Sequence, residues 1–388
     1  MAANSTLLPA DPGANYRAHK DEIDAAVHRV LNGGSYILGE QVAAFEEEFA
    51  AYVGVRHAVG VASGTDALYL ALRACGIGRG DAVATVSHTA VATIAAIELA
   101  GATPILVDID RTSFTIDPVC LERAIESCSG SVHTAAPPRL KAIIPVHLYG
   151  HPADMDAIMP LARRFGLRVI EDCAQSHGAS IGAQRTGAWG HLAAFSFYPT
   201  KNLGGLGDGG AVVTDDPDLD QQLRLLRQYG WRERYVSHLP GLNSRLDELQ
   251  AAILRVKLRY LDGENARRQG IANIYTSALG GTRIVCPTVR PGMSHVYHQY
   301  VVRNPHRDQL RTFLQTQGIA TLIHYAVPVH LQPAYEGRVV VPDEGLVVTQ
   351  QICREILSLP MHPAIHDEQV QHVTAAMVDW ARRHEAGS

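Results

Sequence analysis

No run of eighteen apolar residues occurs in the 388-residue sequence. The longest candidate, 90–107, is interrupted by Glu98 and followed at once by Asp108, so no segment is expected to span a membrane. The opening stretch MAANSTLLPADPG has no basic segment ahead of an apolar one, and no secretory leader is expected. Basic charge is not in excess: 34 Lys and Arg stand against 39 Asp and Glu, for a net charge of −5. That argues against a nucleic-acid partner, which needs a concentrated basic face. Cysteine is sparse. Cys75, Cys120, Cys128, Cys173, Cys286 and Cys353 include no Cys-x-x-Cys pair. They read as reduced thiols of a cytoplasmic protein, with no disulfide scaffold and no metal site. Gly-x-Ser-x-Gly, His-Glu-x-x-His and Gly-x-x-x-x-Gly-Lys-Ser/Thr are also missing, which removes the serine-hydrolase elbow, the zinc-protease helix and the phosphate loop of nucleotidases.

What is present is ordinary globular composition, 46% hydrophobic and 19% charged. The length suits two to three domains at roughly 150 residues each. Apolar periodicity predicts helices over 21–33 and 41–53, each closed by glycine. Short apolar strands then follow at 57–61, 82–85, 104–108, 142–147, 168–171, 194–197 and 211–214, with helices at 66–75, 91–99, 121–127 and 155–165. This alternation predicts an α/β fold, a mainly parallel sheet flanked by helices. From 244 to about 279 the pattern reads as one long helix. Beyond Gly280-Gly281 a strand is expected at 295–303 and helices at 308–316, 349–357 and 368–384. The expected organisation is a large α/β domain, 1–245, a connecting long helix, 246–280, and a smaller C-terminal α+β domain, 281–388.

Four segments carry chemistry, three of them at the carboxyl ends of strands, where open α/β sheets place their ligands. Ser63-Gly64-Thr65 lies between a strand and a helix. Free N–H groups at a helix start bind anions, although alone such a segment is an ordinary cap. Glu171 and Asp172 end the apolar strand 168–171. An acid there can hold a metal, act as a base, pair with a cationic ring nitrogen, or cap a loop. Lys201 follows the aromatic stretch Phe195-Ser196-Phe197-Tyr198 and precedes Gly204-Gly205-Leu206-Gly207. Burial would depress its pKa and make it an amine nucleophile. A strand, not a helix, follows those glycines, so they are no dinucleotide fingerprint. The fourth segment is Asn243, just ahead of the long helix. His295 and His298 are three apart in an expected strand, so they face opposite sides and cannot share a metal.

Together these suit pyridoxal phosphate, which needs an anion cup, an acid at its ring nitrogen and a lysine. In this order, with Gly101-Ala102-Thr103-Pro104, Val146-His147-Leu148-Tyr149-Gly150, Ile323-His324-Tyr325 and Leu359-Pro360-Met361-His362-Pro363, the sequence resembles the DegT/StrS family of sugar aminotransferases. The resemblance runs from about Tyr36 to Trp380. It implies the aspartate aminotransferase fold and a lysine Schiff base at Lys201. It also implies a ring-nitrogen partner at Asp172, a phenolic-oxygen contact at Gln175, and a phosphate cup from Gly64, Thr65 and Ser196. Asn243 matches an asparagine that reaches the neighbouring subunit's phosphate, which implies a homodimer with shared active sites. His324 and Tyr325 are candidate substrate contacts. Where the family usually has an aromatic residue over the cofactor ring, this chain has Ala90, with His88 nearby as a substitute. Relatives with His at the lysine position are dehydratases, so Lys201 favours transamination. The implied reaction moves an amino group from L-glutamate to a nucleotide-linked keto sugar, such as a dTDP-3-keto-6-deoxyhexose. The alternatives are a keto-cyclitol substrate and a non-catalytic regulatory protein that kept the fold.

Overall fold

The computed structural model describes residues 6–130 and 139–385. The leader reading of the first thirteen residues falls partly on 1–5, outside the described residues. Seven strands form the central sheet, in the order His57–Val61, Gly210–Thr214, Leu192–Ser196, Arg168–Asp172, Arg139–Ile143, Asp81–Val86, Thr103–Val107. Gly210–Thr214 runs against both of its neighbours, and the remaining pairs are parallel. The strands are nearly all apolar because helices cover both faces. On one face, Leu68, Leu72, Ile97 and Leu223 pack against Val59, Val83, Ile170 and Val212. On the other, Phe45 and Phe49 pack against Phe195, Phe197 and Val213. Phe49 meets Phe195 and Phe197 edge-on, with centroids 5.0 and 5.3 Å away. Burying each ring contributes about 1.5–3 kcal/mol. This is the floor beneath the lysine segment.

A separate apolar cluster joins Ile271, Tyr275, Tyr300, Leu310, Leu357, Met377 and Trp380, and here Tyr300–Arg303 pairs antiparallel with Ile356–Leu359. The α/β character with a smaller C-terminal α+β part is as the sequence predicts.

Three expectations need correction. The single helix over 246–280 is two, Glu248–Leu258 and Leu261–Leu279. They bury against different cores. Ile253 and Val256 pack on Ile23, Ala26 and Val30, whereas Ile271 and Tyr275 belong to the C-terminal cluster, although Leu254 and Leu261 on either side of the break still share one core. A 3.0 Å bond from Tyr260 N–H to the Lys257 carbonyl tightens the break. The strand over 295–303 is only Tyr300–Arg303. Residues 296–299 instead bond to the distant turn Leu148–Gly150, Val296 N–H to the Gly150 carbonyl and Gln299 N–H to that of Tyr149. Finally, the strand over 142–147 is Arg139–Ile143, ending before Pro145, which has no N–H to donate.

Candidate active site

Successive side chains on a strand point to opposite faces, so the adjacent acids at the end of Arg168–Asp172 part company. Glu171 is fully buried and accepts four hydrogen bonds. Its partners are His147 Nε2 at 2.9 Å and the N–H groups of Gly187, Trp189 and Gly190 at 2.8–2.9 Å. His147 Nδ1 accepts from Ala153 N–H at 2.8 Å, which makes Nε2 the donor. These two, with Cys173, bring possible metal-ligating atoms within 4.8 Å of one another. Every lone pair of the carboxylate is already taken, however, and so is the histidine's. The cluster is a clamp on the 187–190 turn.

Asp172 faces the other way. Its Oδ2 accepts from the Thr93 hydroxyl at 2.9 Å and its Oδ1 from Ala174 N–H at 3.2 Å. Lys201 lies close enough for the two charges to act on each other. Burial lowers the Lys201 pKa to about 8, partly offset by Asp172. The lysine is held on a turn, with its N–H on the Tyr198 carbonyl at 2.8 Å and Gly205 N–H on that of Phe197 at 2.8 Å. Gly204 is required in that turn, since a Cβ there would lie 2.6 Å from the Pro199 oxygen. The next residue, Asn202, anchors the turn. Its amide donates to Asn265 Oδ1 and the Val296 carbonyl, and its oxygen meets His298 Nδ1 at 3.2 Å.

The helix Gly64–Ala74 begins beside Ser196. Ser63 caps it through Asp66 N–H at 3.1 Å. The first N–H groups, at Gly64 and Thr65, are left pointing out of its end. A Cβ on Gly64 would sit 2.6 Å from Ser196 Cβ, so only glycine lets the serine close the cup. Ser244 braces it from below, accepting from Ala62 N–H at 3.0 Å and donating to Asp66 at 2.7 Å.

Gln175 Oε1 accepts from Tyr149 N–H at 2.7 Å, and its Nε2 donates to the Tyr325 hydroxyl at 3.1 Å. Tyr325 feels the charge of Asp172 and His324 that of Lys201. Burial lowers the His324 pKa to about 4, and its Nδ1 is bonded to Ser358 Oγ at 2.9 Å. Lys201, Asp172, Gln175, His324 and Tyr325 therefore border one site, with Gly64, Thr65 and Ser196 at the helix end. Asn243 is apart from them: it is exposed, and its side chain has no hydrogen bond among the described residues.

His88 does not cover this site. It is fully buried, with Nδ1 against Cys353 Sγ and Nε2 against the Tyr149 hydroxyl at 2.7 Å. The Tyr149 proton goes to the His324 carbonyl, so His88 donates from Nε2. Ala90 is partly accessible, and no aromatic ring stands in its place. Sequence reasoning missed Thr93, Asn202, Ser244 and the supporting role of Tyr149. None of them left a signal that a local pattern could single out, Thr93 included, since it stands as a lone threonine in the apolar helix Ala92–Leu99.

The donor set fits a group with a phosphate, a reactive carbonyl and a protonated ring nitrogen. The helix end could take the first, Lys201 the second, and the unfilled lone pair on Asp172 the third.

Comparisons with known proteins agree. The model of the DegT/DnrJ/EryC1/StrS aminotransferase family matches residues 17–378. The dTDP-3-amino-3,4,6-trideoxy-alpha-D-glucose transaminase of Streptomyces venezuelae is 49% identical over 375 residues, 96% of each chain. The crystal structure of S. venezuelae DesV in complex with a ketimine intermediate superposes with a TM-score of 0.92 at 48% identity, covering 98% of this chain and 99% of that one. NtdA from Bacillus subtilis with bound PMP gives 0.85 at 29% identity, covering 94% and 82%.

Proposed function

The chain belongs to the DegT/DnrJ/EryC1/StrS aminotransferase family, and from that premise we propose that it is a pyridoxal-phosphate-dependent transaminase of a nucleotide-linked keto sugar. The observation that carries the reading is the convergence of half-buried Lys201 on its glycine-bounded turn with Asp172 at the neighbouring strand end, close enough for the two charges to act on each other. The bound cofactor supplies a carbonyl that condenses with amines and a ring that draws electrons from the neighbouring carbon.

The chain's own groups do the rest. Gly64 and Thr65 N–H groups and Ser196 hold the phosphate. Asp172 keeps a proton on the ring nitrogen, where the opposite charge is favoured. Gln175, oriented by Tyr149 and Tyr325, takes the phenolic oxygen. Lys201 would hold the cofactor's carbonyl carbon and, as a free amine, would take and return the proton of the substrate carbon. Its lowered pKa lets it act as a base near neutral pH. His324 and Tyr325 meet the sugar.

The substrate is a dTDP-linked 3-keto-6-deoxyhexose and the amino donor L-glutamate. The name of the Streptomyces transaminase supports the first choice. The active unit is a homodimer in which Asn243 reaches the partner's phosphate. The exposed position of Asn243 supports this, as does the hairpin leading into it, where Trp231 packs on Tyr229 and Tyr235. The large part, 1–245, carries the cofactor, and the small part, 281–388, closes on it. No helix among the described residues is long and apolar enough to cross a membrane.

Borohydride reduction of the holoenzyme and peptide mapping test the cofactor site, with label expected on Lys201. Glutamate and a panel of nucleotide keto sugars test the reaction. Label on another lysine, or no turnover with any dTDP keto sugar, overturns the reading.

A further inference from the structure

We propose that Thr93, backed by Thr89, is the positioning residue that keeps the Asp172 carboxylate charged and turned toward the cofactor's ring nitrogen. This rests on the pairing of Asp172 with that nitrogen.

Thr93 lies in the helix Ala92–Leu99 and is fully buried. Its neighbours along that helix are Ala92, Ile94, Ala95, Ala96 and Ile97, so a hydroxyl here needs a strong partner to offset its desolvation. It has one proton, which goes to Asp172 Oδ2 at 2.9 Å. Its oxygen must then accept in the 2.8 Å contact with Thr89, and Thr89 must donate. The two hydroxyls form a one-way chain, Thr89 to Thr93 to Asp172. Chains of this kind strengthen each member, by about 10–30% per bond.

A threonine in a helix commonly turns its hydroxyl to solvent or back to the carbonyl one turn earlier. Thr93 instead spends its proton on a carboxylate from another element. With Ala174 N–H on Oδ1, each oxygen of Asp172 has one donor from the chain and room for one more. The titratable groups that interact with the Asp172 charge are Lys201 from the turn after Leu192–Ser196, His147 from the loop after Arg139–Ile143, Cys173 next to it in the chain, and Tyr325. Burial pushes the Asp172 pKa up, and the Thr93 bond is the largest influence pulling it back.

If the Thr93 donor is lost, the shared proton moves from the ring nitrogen toward Asp172. The test is ¹⁵N NMR of holoenzyme loaded with pyridoxal phosphate labelled at the ring nitrogen, at fixed neutral pH. Thr93→Val keeps the shape and removes the donor. The ratio of protonated to unprotonated nitrogen should fall about tenfold or more, the usual worth of a hydrogen bond to a charged group. Thr93→Ser should restore it. Thr89→Val should move it less, in the same direction, and stands as the test if Thr93→Val fails to fold. Asp172→Asn is the reference. If Asp172→Asn moves the resonance and neither threonine variant does, the proposal is overturned and the pairing of Asp172 stands. If Asp172→Asn leaves the resonance unchanged, the pairing itself falls, and the proposal with it. Thr93→Val should also slow the half-reaction with glutamate without changing the site of borohydride labelling.

Discussion

Two acids one peptide apart, Glu171 and Asp172, sit in opposite surroundings. Glu171 has all its lone pairs filled by donors from its own chain. Asp172 has two donors and space left over. Saturation marks the structural acid, and incompleteness marks the one available to a ligand. The same contrast separates two histidines. His147 is bonded at both nitrogens, whereas His324 has only Nδ1 engaged and lies within reach of the Lys201 charge.

The sharpest way to break the contrast is to remove the ligand side alone. Lys201→Ala should lower turnover about 10⁴-fold or more, because nucleophile and proton carrier disappear together. Near-UV circular dichroism of that variant should remain that of the parent.

The paired acids come next. Asp172→Asn should lower kcat by about 10²–10³ with an unchanged melting temperature for the apoenzyme. Glu171→Gln should do the reverse. Its amide hydrogens would face N–H donors in a buried site, costing about 3–5 kcal/mol and showing as a large drop in melting temperature. Equal stability losses in the two variants would erase the distinction.

Which of the two acids faces the site was not legible from strand alternation, and only the family resemblance pointed to Asp172. Alternation says only that they differ, and the face is chosen by partners far along the chain, His147 and the 187–190 turn. Lys201 and the helix start at Gly64 were legible, since both depend on local strand-end patterns. Thr93 was not, because a buried threonine in an apolar helix reads as filler until the strand bearing Asp172 is laid beside it. The break between Leu258 and Leu261 escaped for a similar reason. Both halves are helical, and the break shows only in the backbone at Arg259-Tyr260, where no glycine or proline marks it.

A milder probe is pH. Burial lowers the Lys201 pKa to about 8, against about 10.4 for an unperturbed lysine. The neutral amine is the reactive form, so reconstitution of apoenzyme with pyridoxal phosphate should speed up with pH and level off above about 8. Stability follows the same sign. The unfolded chain binds the extra proton between the two values, so Lys201 makes the apoenzyme more stable as pH rises through that window. A rate still climbing at pH 10 would show the amine to be solvated.

The smallest expected effect belongs to Asn243, which asks whether the ligand side is complete in one chain. Asn243→Ala should weaken cofactor retention about tenfold, the loss of one hydrogen bond to a charged group, measured by dialysis against a competing amine. Heterodimers co-expressed from Lys201→Ala and Asn243→Ala chains should hold one subunit with both Lys201 and a partner Asn243. Cofactor retention in that subunit should match the parent. Parental retention in the Asn243→Ala homodimer would place the residue outside the site.

The strand His57–Val61 stands at the edge of the sheet, and its one sheet partner is Gly210–Thr214. Ser63 and Gly64 leave that strand to form the helix start, and Gly210 backs them so closely that a Cβ would lie 2.4 Å from the Ser63 oxygen. During synthesis, then, the first strand of the sheet made by the ribosome waits for one made some 150 residues later, about 10–30 s at ordinary rates of translation. Until then its Val59 and Val61 have no ladder to join, and the proposed phosphate cup at its end has no back wall. The nascent chain cannot capture its cofactor early, and an exposed apolar strand must be kept from pairing elsewhere in the meantime.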